Sequence, residues 1–223
     1  MYTYVTKAEL KPYKTFCHEA LTELQQQLKT EDITMSINLI GSGAGNLVTQ
    51  NAKGEFDLDY NLSLSKIPEK YLVKPHALKD KIRTALDKIM LQKNQSCAIT
   101  NMSPYGQDSK SVITYKCCLP PSGDPKIERL NFFHLDIALM IKDTKFTSKL
   151  THDKRTEAFI WNQLPDFSEQ TKQLNFIKSH KKWNNVRNLY LQKKNDCSTK
   201  ALPSYAIYSM ALNEVYQKFN HKK

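Results

Sequence analysis

Residues 41–60 read GSGAGNLVTQNAKGEFDLDY, and the fold turns on how this stretch is built. Just before it, ITMSINLI at 33–40 alternates apolar and polar positions as a strand does and runs straight into Gly41-Ser42-Gly43-Ala44-Gly45. A strand therefore ends in a turn of small residues. After a polar connection, Thr49 to Gly54, a second strand is expected over EFDLDYNLSL. Its period of two places Phe56, Leu58, Tyr60, Leu62 and Leu64 on one face and Glu55, Asp57, Asp59 and Asn61 on the other.

Two aspartates on one face of a strand can grip divalent cations together, and the small-residue turn lets backbone N–H groups and the Ser42 hydroxyl approach a phosphate. A third carboxylate lies downstream in RLNFFHLDIALMIK, where Asp136 interrupts one of the most apolar stretches of the chain. An unpaired buried carboxylate is costly, so Asp136 calls for a metal or a cationic partner. Clustered acids repel one another unless a cation sits between them, and hard oxygen ligands suit Mg²⁺, with Mn²⁺ as its substitute. In two-metal sites, with ions roughly 3.5 to 4 Å apart, such ligands serve an attacking and a leaving oxygen. His134 shares the Asp136 face and reads as a hydrogen-bonded structural histidine.

These residues resemble the DNA polymerase β-like nucleotidyltransferases, whose pattern is a Gly-Ser turn, a spacer, and an Asp-hydrophobic-Asp strand, with a third acid from a later strand. The resemblance implies transfer of a nucleoside monophosphate from a nucleoside triphosphate with release of pyrophosphate. It assigns Asp57, Asp59 and Asp136 to metal binding and catalysis, and Gly41 and Ser42 to the triphosphate. Within that superfamily the chain is most similar to the cyclic-GMP-AMP synthase and oligoadenylate synthase branch, in which a later helical segment carries a Ser-Tyr pair. LPSYAIY offers Ser204 and Tyr205 there, after the basic segment NNVRNLYLQKKN with Arg187. The similar segments run from the first strand to Leu64, around Asp136, and from Asn184 to Tyr208. One departure concerns the spacer. Fourteen residues separate Ser42 from Asp57, and twelve separate it from Glu55. Glu55/Asp57 is thus a second register for the metal pair; Asp57/Asp59 is preferred because two short aspartates leave less side-chain freedom.

Working outward, apolar positions spaced three and four apart predict helices over Ala8–Lys29, with Pro12 in the first turn, and over Pro75–Lys93. A further strand is expected in SVITYKCCL, before a Pro-Pro-Ser-Gly turn at 120–123. From Thr151 the pattern reads as helices over Arg155–Leu164, Ser168–His180, Trp183–Lys194 and Ser204–Phe219. The expected fold is α+β: a small mixed-sheet nucleotidyltransferase core at 1–150, then a C-terminal helical domain at 151–223 closing a nucleotide cleft.

The 223 residues carry a net charge of +11, which favours polyanionic partners such as nucleotides, RNA or DNA. Residues 1–150 hold 20 basic and 16 acidic side chains, and 151–223 hold 13 and 6, so the excess sits mostly in the C-terminal part. Arg187, Lys193, Lys194 and Lys200 read equally as a phosphate path or a solvated basic helix. Among the C-terminal tyrosines, most are expected in the core and Tyr205 is singled out for base stacking. Five scattered cysteines without CxxC spacing argue against a zinc site or disulfide framework and fit reduced thiols. With no apolar stretch long enough to span a bilayer, a cytoplasmic protein is expected. The acceptor is left open among RNA or tRNA, protein and nucleotide. The rival reading is a catalytically inactive relative that binds RNA or DNA through the basic tail.

Overall fold

A computed structural model describes residues 1–51, 55–94, 106–119, 132–142, 146–199 and 201–220. The elements follow the order β1 (Thr3–Tyr4), α1 (Lys7–Lys29), β2 (Thr34–Leu39), α2 (Gly41–Gly45), β3 (Thr49–Gln50), β4 (Asp57–Lys66), α3 (Lys70–Val73), α4 (Pro75–Asn94), β5 (Gln107–Asp108), β6 (Ile113–Cys118), β7 (Phe132–Lys142), β8 (Thr147–Asp153), β9 (Ala158–Gln163), α5 (Ser168–Ser179), α6 (Trp183–Asn195) and α7 (Ser204–Asn220). The fold is α+β, as the sequence patterns require. The expected turn at 120–123 lies outside the described residues.

Among the described residues seven strands form one sheet in the order β2-β4-β7-β6-β5, with β8 joined to β7 and β9 to β8. Only β4 and β7 run parallel among these pairs; the rest are antiparallel. Along its second edge β7 is shared, pairing with β6 from Phe132 to Ile137 and with β8 from Met140 to Lys142. The inward set Leu58, Tyr60, Leu62 and Leu64 of β4 meets Leu135, Ile137 and Leu139 of β7 in a single buried core. Helix α1 covers that face. Its Tyr13 ring stands edge-on to both Phe56 and Phe133, with centroids 5.1 Å apart in each case. The helix is started by a capping box: the Glu9 N–H donates to the Thr6 hydroxyl oxygen and the Thr6 N–H to the Glu9 carboxylate. Because α1 begins at Lys7, Pro12 falls in its second turn, one turn later than expected.

Two features correct the sequence reading. Residues 155–164 are not helical: β8 and β9 form a hairpin, with Phe159 and Trp161 packed against the core and Ile160 turned outward. The hairpin closes on Asp153, whose carboxylate accepts the Arg155 N–H at 2.9 Å, and on Glu157 at φ +53°. The compact unit holding the sheet, residues 5–48 and 54–164, therefore runs past the division drawn at residue 150. The second correction is smaller. The Gly41–Gly45 turn is wound into a short helix.

The second compact unit comprises residues 1–4, 49–53 and 165–223. In it, α5, α6 and α7 pack around Ile177, Val186, Tyr190, Ile207, Ala211, Leu212 and Val215. The β1–β3 pair belongs to the same unit, and the Tyr4 hydroxyl donates to the Arg187 carbonyl at 2.6 Å. Cys17 and Cys117 are buried free thiols, whereas Cys118 is disulfide-bonded, against the expectation of reduced thiols. Cys117 pairs with Phe133 on the apolar face, away from His134.

Candidate active site

The β4–β7 register builds the site. Asp57 lies opposite His134, and Asp59 lies opposite Asp136. On the other side of β7, Thr114 of β6 is level with Asp136 and Lys116 with His134. Strand alternation puts all six side chains on the face away from the core. Asp57 is exposed; Asp59 and Asp136 are half-buried.

The Gly-Ser turn reaches this face through β2. The Ile40 N–H donates to the Asp59 carbonyl at 2.9 Å. Gly41 then takes φ +58°, and a Cβ at this position would stand 2.8 Å from Asp59 Oδ2. Glycine takes this φ without strain and leaves the Asp59 carboxylate its room. A Cβ on Gly43 would lie 2.8 Å from Leu39 Cδ1, so a second glycine lets α2 settle onto the sheet. The Lys14 ammonium fastens it from α1 by donating to the Gly43 carbonyl at 2.8 Å. Ser42 is half-buried in the first turn of α2, where backbone N–H groups lack an intrahelical acceptor.

The acids feel one another. Burial first, then the charges of Asp136 and Asp57, push the Asp59 carboxyl up to about 6, with Lys149 opposing. Asp136 is raised as well, chiefly by burial; the Thr114 hydroxyl, which donates to its Oδ1 at 2.5 Å, pulls the other way. His134 Nδ1 sits 3.1 Å from Asp57 Oδ1. His134 is thus hydrogen-bonded, as expected, but to one of the site carboxylates.

Among the described residues no three His, Cys, Asp or Glu side chains converge as a ready-made metal site. Asp136 is turned to Thr114 and Asp57 to His134. The donor set nevertheless fits a hard divalent cation in kind: three carboxylates on one face of the β4–β7 pair, with Asp59 level with Asp136 and both of these raised by burial and by the charge of neighbouring aspartates. Glu55 is engaged by a lysine of the same face. It precedes β4 and pairs with Lys116 at 3.1 Å.

Thr114, Lys116 and Lys149 were not marked from the sequence. Each reaches the site through a strand pairing that no local pattern reveals. The remaining sequence candidates belong to the second unit. The Arg187 guanidinium lies 4.5 Å above the Tyr4 ring, with its Nε buried and without a partner among the described residues. Ser204 is exposed and opens α7. Tyr205 is 56% exposed and donates to Gln170 Oε1 at 3.0 Å, whereas Tyr190 is buried and Tyr208 and Tyr216 half-buried. Lys200 lies outside the described residues.

The mixed α+β fold of this chain occurs in solved structures of low sequence identity. Among solved structures the chain is similar to Vibrio cholerae DncV in its 3′-deoxy GTP bound form, with a TM-score of 0.57 at 10% identity, covering 95% of this chain and 67% of that one. It is also similar to Vibrio cholerae DncV cyclic AMP-GMP synthase, a prokaryotic cGAS homolog, with a TM-score of 0.50 at 13% identity over 82% of this chain and 45% of that one. The chain thus spans about half the length of that synthase. No family model and no curated protein matches the sequence. Among the described residues no helix is long and apolar enough to cross a membrane.

Proposed function

We propose that this chain is a metal-dependent nucleotidyltransferase that moves a nucleoside monophosphate from a nucleoside triphosphate to an acceptor hydroxyl and releases pyrophosphate. One observation carries the reading: Asp59 stands level with Asp136 across parallel strands while the Gly41 backbone abuts the Asp59 carboxylate. A phosphate-binding turn and an acid pair in that relation suit phosphoryl transfer.

Asp57, Asp59 and Asp136 would hold Mg²⁺ or Mn²⁺, which when bound supplies charge neutralisation at the reacting phosphate. Ser42 and the backbone N–H groups of the Gly41–Gly45 turn bind the triphosphate oxygens and orient the donor. Asp136 takes the proton of the acceptor hydroxyl as its oxygen bonds to the α-phosphorus. The bond from that phosphorus to the β-phosphate bridging oxygen breaks, and pyrophosphate leaves with the electron pair. Thr114 keeps the Asp136 carboxyl oriented. Glu55, held by Lys116, supports Asp57/Asp59 as the metal pair. The family resemblance assigns Arg187, Ser204 and Tyr205 to substrate binding.

A DncV structure of similar fold, with a TM-score of 0.50 at 14% identity, holds the linear intermediate 5′ pppA(3′,5′)pG. A nucleotide is therefore the first acceptor to try, with RNA, tRNA and protein as further arms. A second reading rests on charge. Residues 165–223 contain 11 basic and 4 acidic side chains, which suits an inactive relative that binds nucleic acid. Incubation with α-labelled nucleoside triphosphates and Mg²⁺ separates the two. The enzyme reading expects transferred label and free pyrophosphate, both abolished by Asp57→Asn. It fails if no acceptor is labelled while the wild type and Asp57→Asn bind nucleic acid equally.

A further inference from the structure

The carboxylate face has a cation that the mechanism above does not use. Lys149 lies on β8, level with Met140 of β7 in the antiparallel register. Met140, Ala138 and Asp136 follow one another on the same face of β7, so the lysine stem can run along the strand, over the small Ala138, toward the acids. Lys149 is half-buried, and among the described residues neither a hydrogen bond nor an ion pair engages it. Its charge is nonetheless felt at both Asp59 and Asp136, and theirs at Lys149, where they offset the effect of burial on the ammonium. In the strand order, the Gly-Ser turn reaches the acid pair from the β2 side and Lys149 from the β8 side. Among the described residues Lys149 is thus a half-buried ammonium without a direct partner, and its charge acts on the two carboxylates.

We propose that Lys149 is the resident counter-cation of the Asp59–Asp136 pair, balancing its charge before metal arrives and thereby holding down the affinity of the nucleotide-free site for divalent ions. This rests on the nucleotidyltransferase reading of the same acids. A lysine and a divalent ion compete for one patch of negative charge, and their mutual repulsion is strong in a partly desolvated site. Metal then binds well only when triphosphate oxygens add negative charge and ligands. Lys149 is a positioning residue in this account, not one that touches the reacting atoms.

The test is Mn²⁺ binding to the full chain without nucleotide, followed by electron paramagnetic resonance of free Mn²⁺. Lys149→Met keeps the apolar stem and removes the charge, and should tighten Mn²⁺ on the order of ten-fold. Lys149→Arg, which keeps the charge, should bind as the wild type does. A purely structural lysine would leave the affinity unchanged in Lys149→Met. Lys149→Gln gives the same comparison if the methionine variant does not fold. Equal affinity in the wild type and the charge-removed variant, with binding lost in Asp57→Asn, overturns the role of Lys149 alone. Absence of saturable binding in both, with Asp57→Asn indistinguishable, overturns the metal site and this inference together.

Discussion

The two faces of β4 and β7 are made by the same backbones, one residue apart in phase, and obey opposite rules. On one face Leu58, Tyr60 and Leu62 meet Leu135, Ile137 and Leu139 in a core covered by α1. On the other, Asp57 and Asp59 meet His134 and Asp136, and burial works against the charged groups it partly encloses. The first face is stabilised by exclusion of water. On the second, repulsion among the acids is only partly offset by Thr114 and Lys149, and the first must support it. Stability and chemistry should therefore separate cleanly when one strand is mutated in its two phases.

The largest separation is expected at Asp57 and Leu135. Asp57→Asn should lower transfer activity on the order of a thousand-fold, roughly 4 kcal/mol of transition-state stabilisation. It should leave the urea midpoint close to that of the wild type. Leu135→Ala, in the other phase, should cost about 2–5 kcal/mol of stability through transfer and cavity terms, while the folded fraction stays active. Unfolding of the first variant, or intact stability in the second, would break the comparison.

Next comes pH. The Asp59 carboxyl is raised to about 6 in the folded protein, so between its ordinary range and that value the folded chain keeps a proton that the unfolded chain has released. In EDTA, stability should therefore fall as pH rises through this window and level off above it. Asp59→Asn should flatten that slope and raise the midpoint near neutrality; a slope unchanged by the substitution would contradict the repulsion described here. A smaller effect belongs to Thr114→Val. Removing the hydroxyl that orients Asp136 should reduce kcat about ten-fold, in keeping with roughly 1.4 kcal/mol for a hydrogen bond to a charged group. The smallest is Glu55→Gln, expected to change kcat by less than about three-fold, because a surface ion pair with Lys116 contributes under about 1 kcal/mol. A thousand-fold loss there would instead shift the metal pair to Glu55/Asp57.

Alternation within EFDLDYNLSL was enough to assign the two faces of β4, and the cost of a charge inside HLDIALMIK was enough to mark Asp136. What brings Asp59 level with Asp136 is the parallel register, which local patterning does not encode. Thr114 and Lys149 were hidden for the same reason: their partners are set by pairings of β6 and β8 with β7. The β8–β9 hairpin was misread because Ala158, Trp161 and Leu164 recur at helical spacing. Its turn, closed by Asp153 and Glu157, also lacks the Gly or Asn that would announce it. The two-residue strands β1 and β3 are too short to carry any period.

The central claim is that Asp57, Asp59 and Asp136 form one metal-binding, phosphoryl-transferring centre beside the Gly41–Ser42 turn. Its most direct test is a crystal structure with Mn²⁺ and a non-hydrolysable nucleoside triphosphate, the metal located by anomalous scattering. The account predicts Mn²⁺ bound by Asp57 together with Asp59 or Asp136 and triphosphate oxygens on the Gly41–Ser42 backbone. Metal held by none of these acids, or triphosphate bound away from that turn, would contradict it.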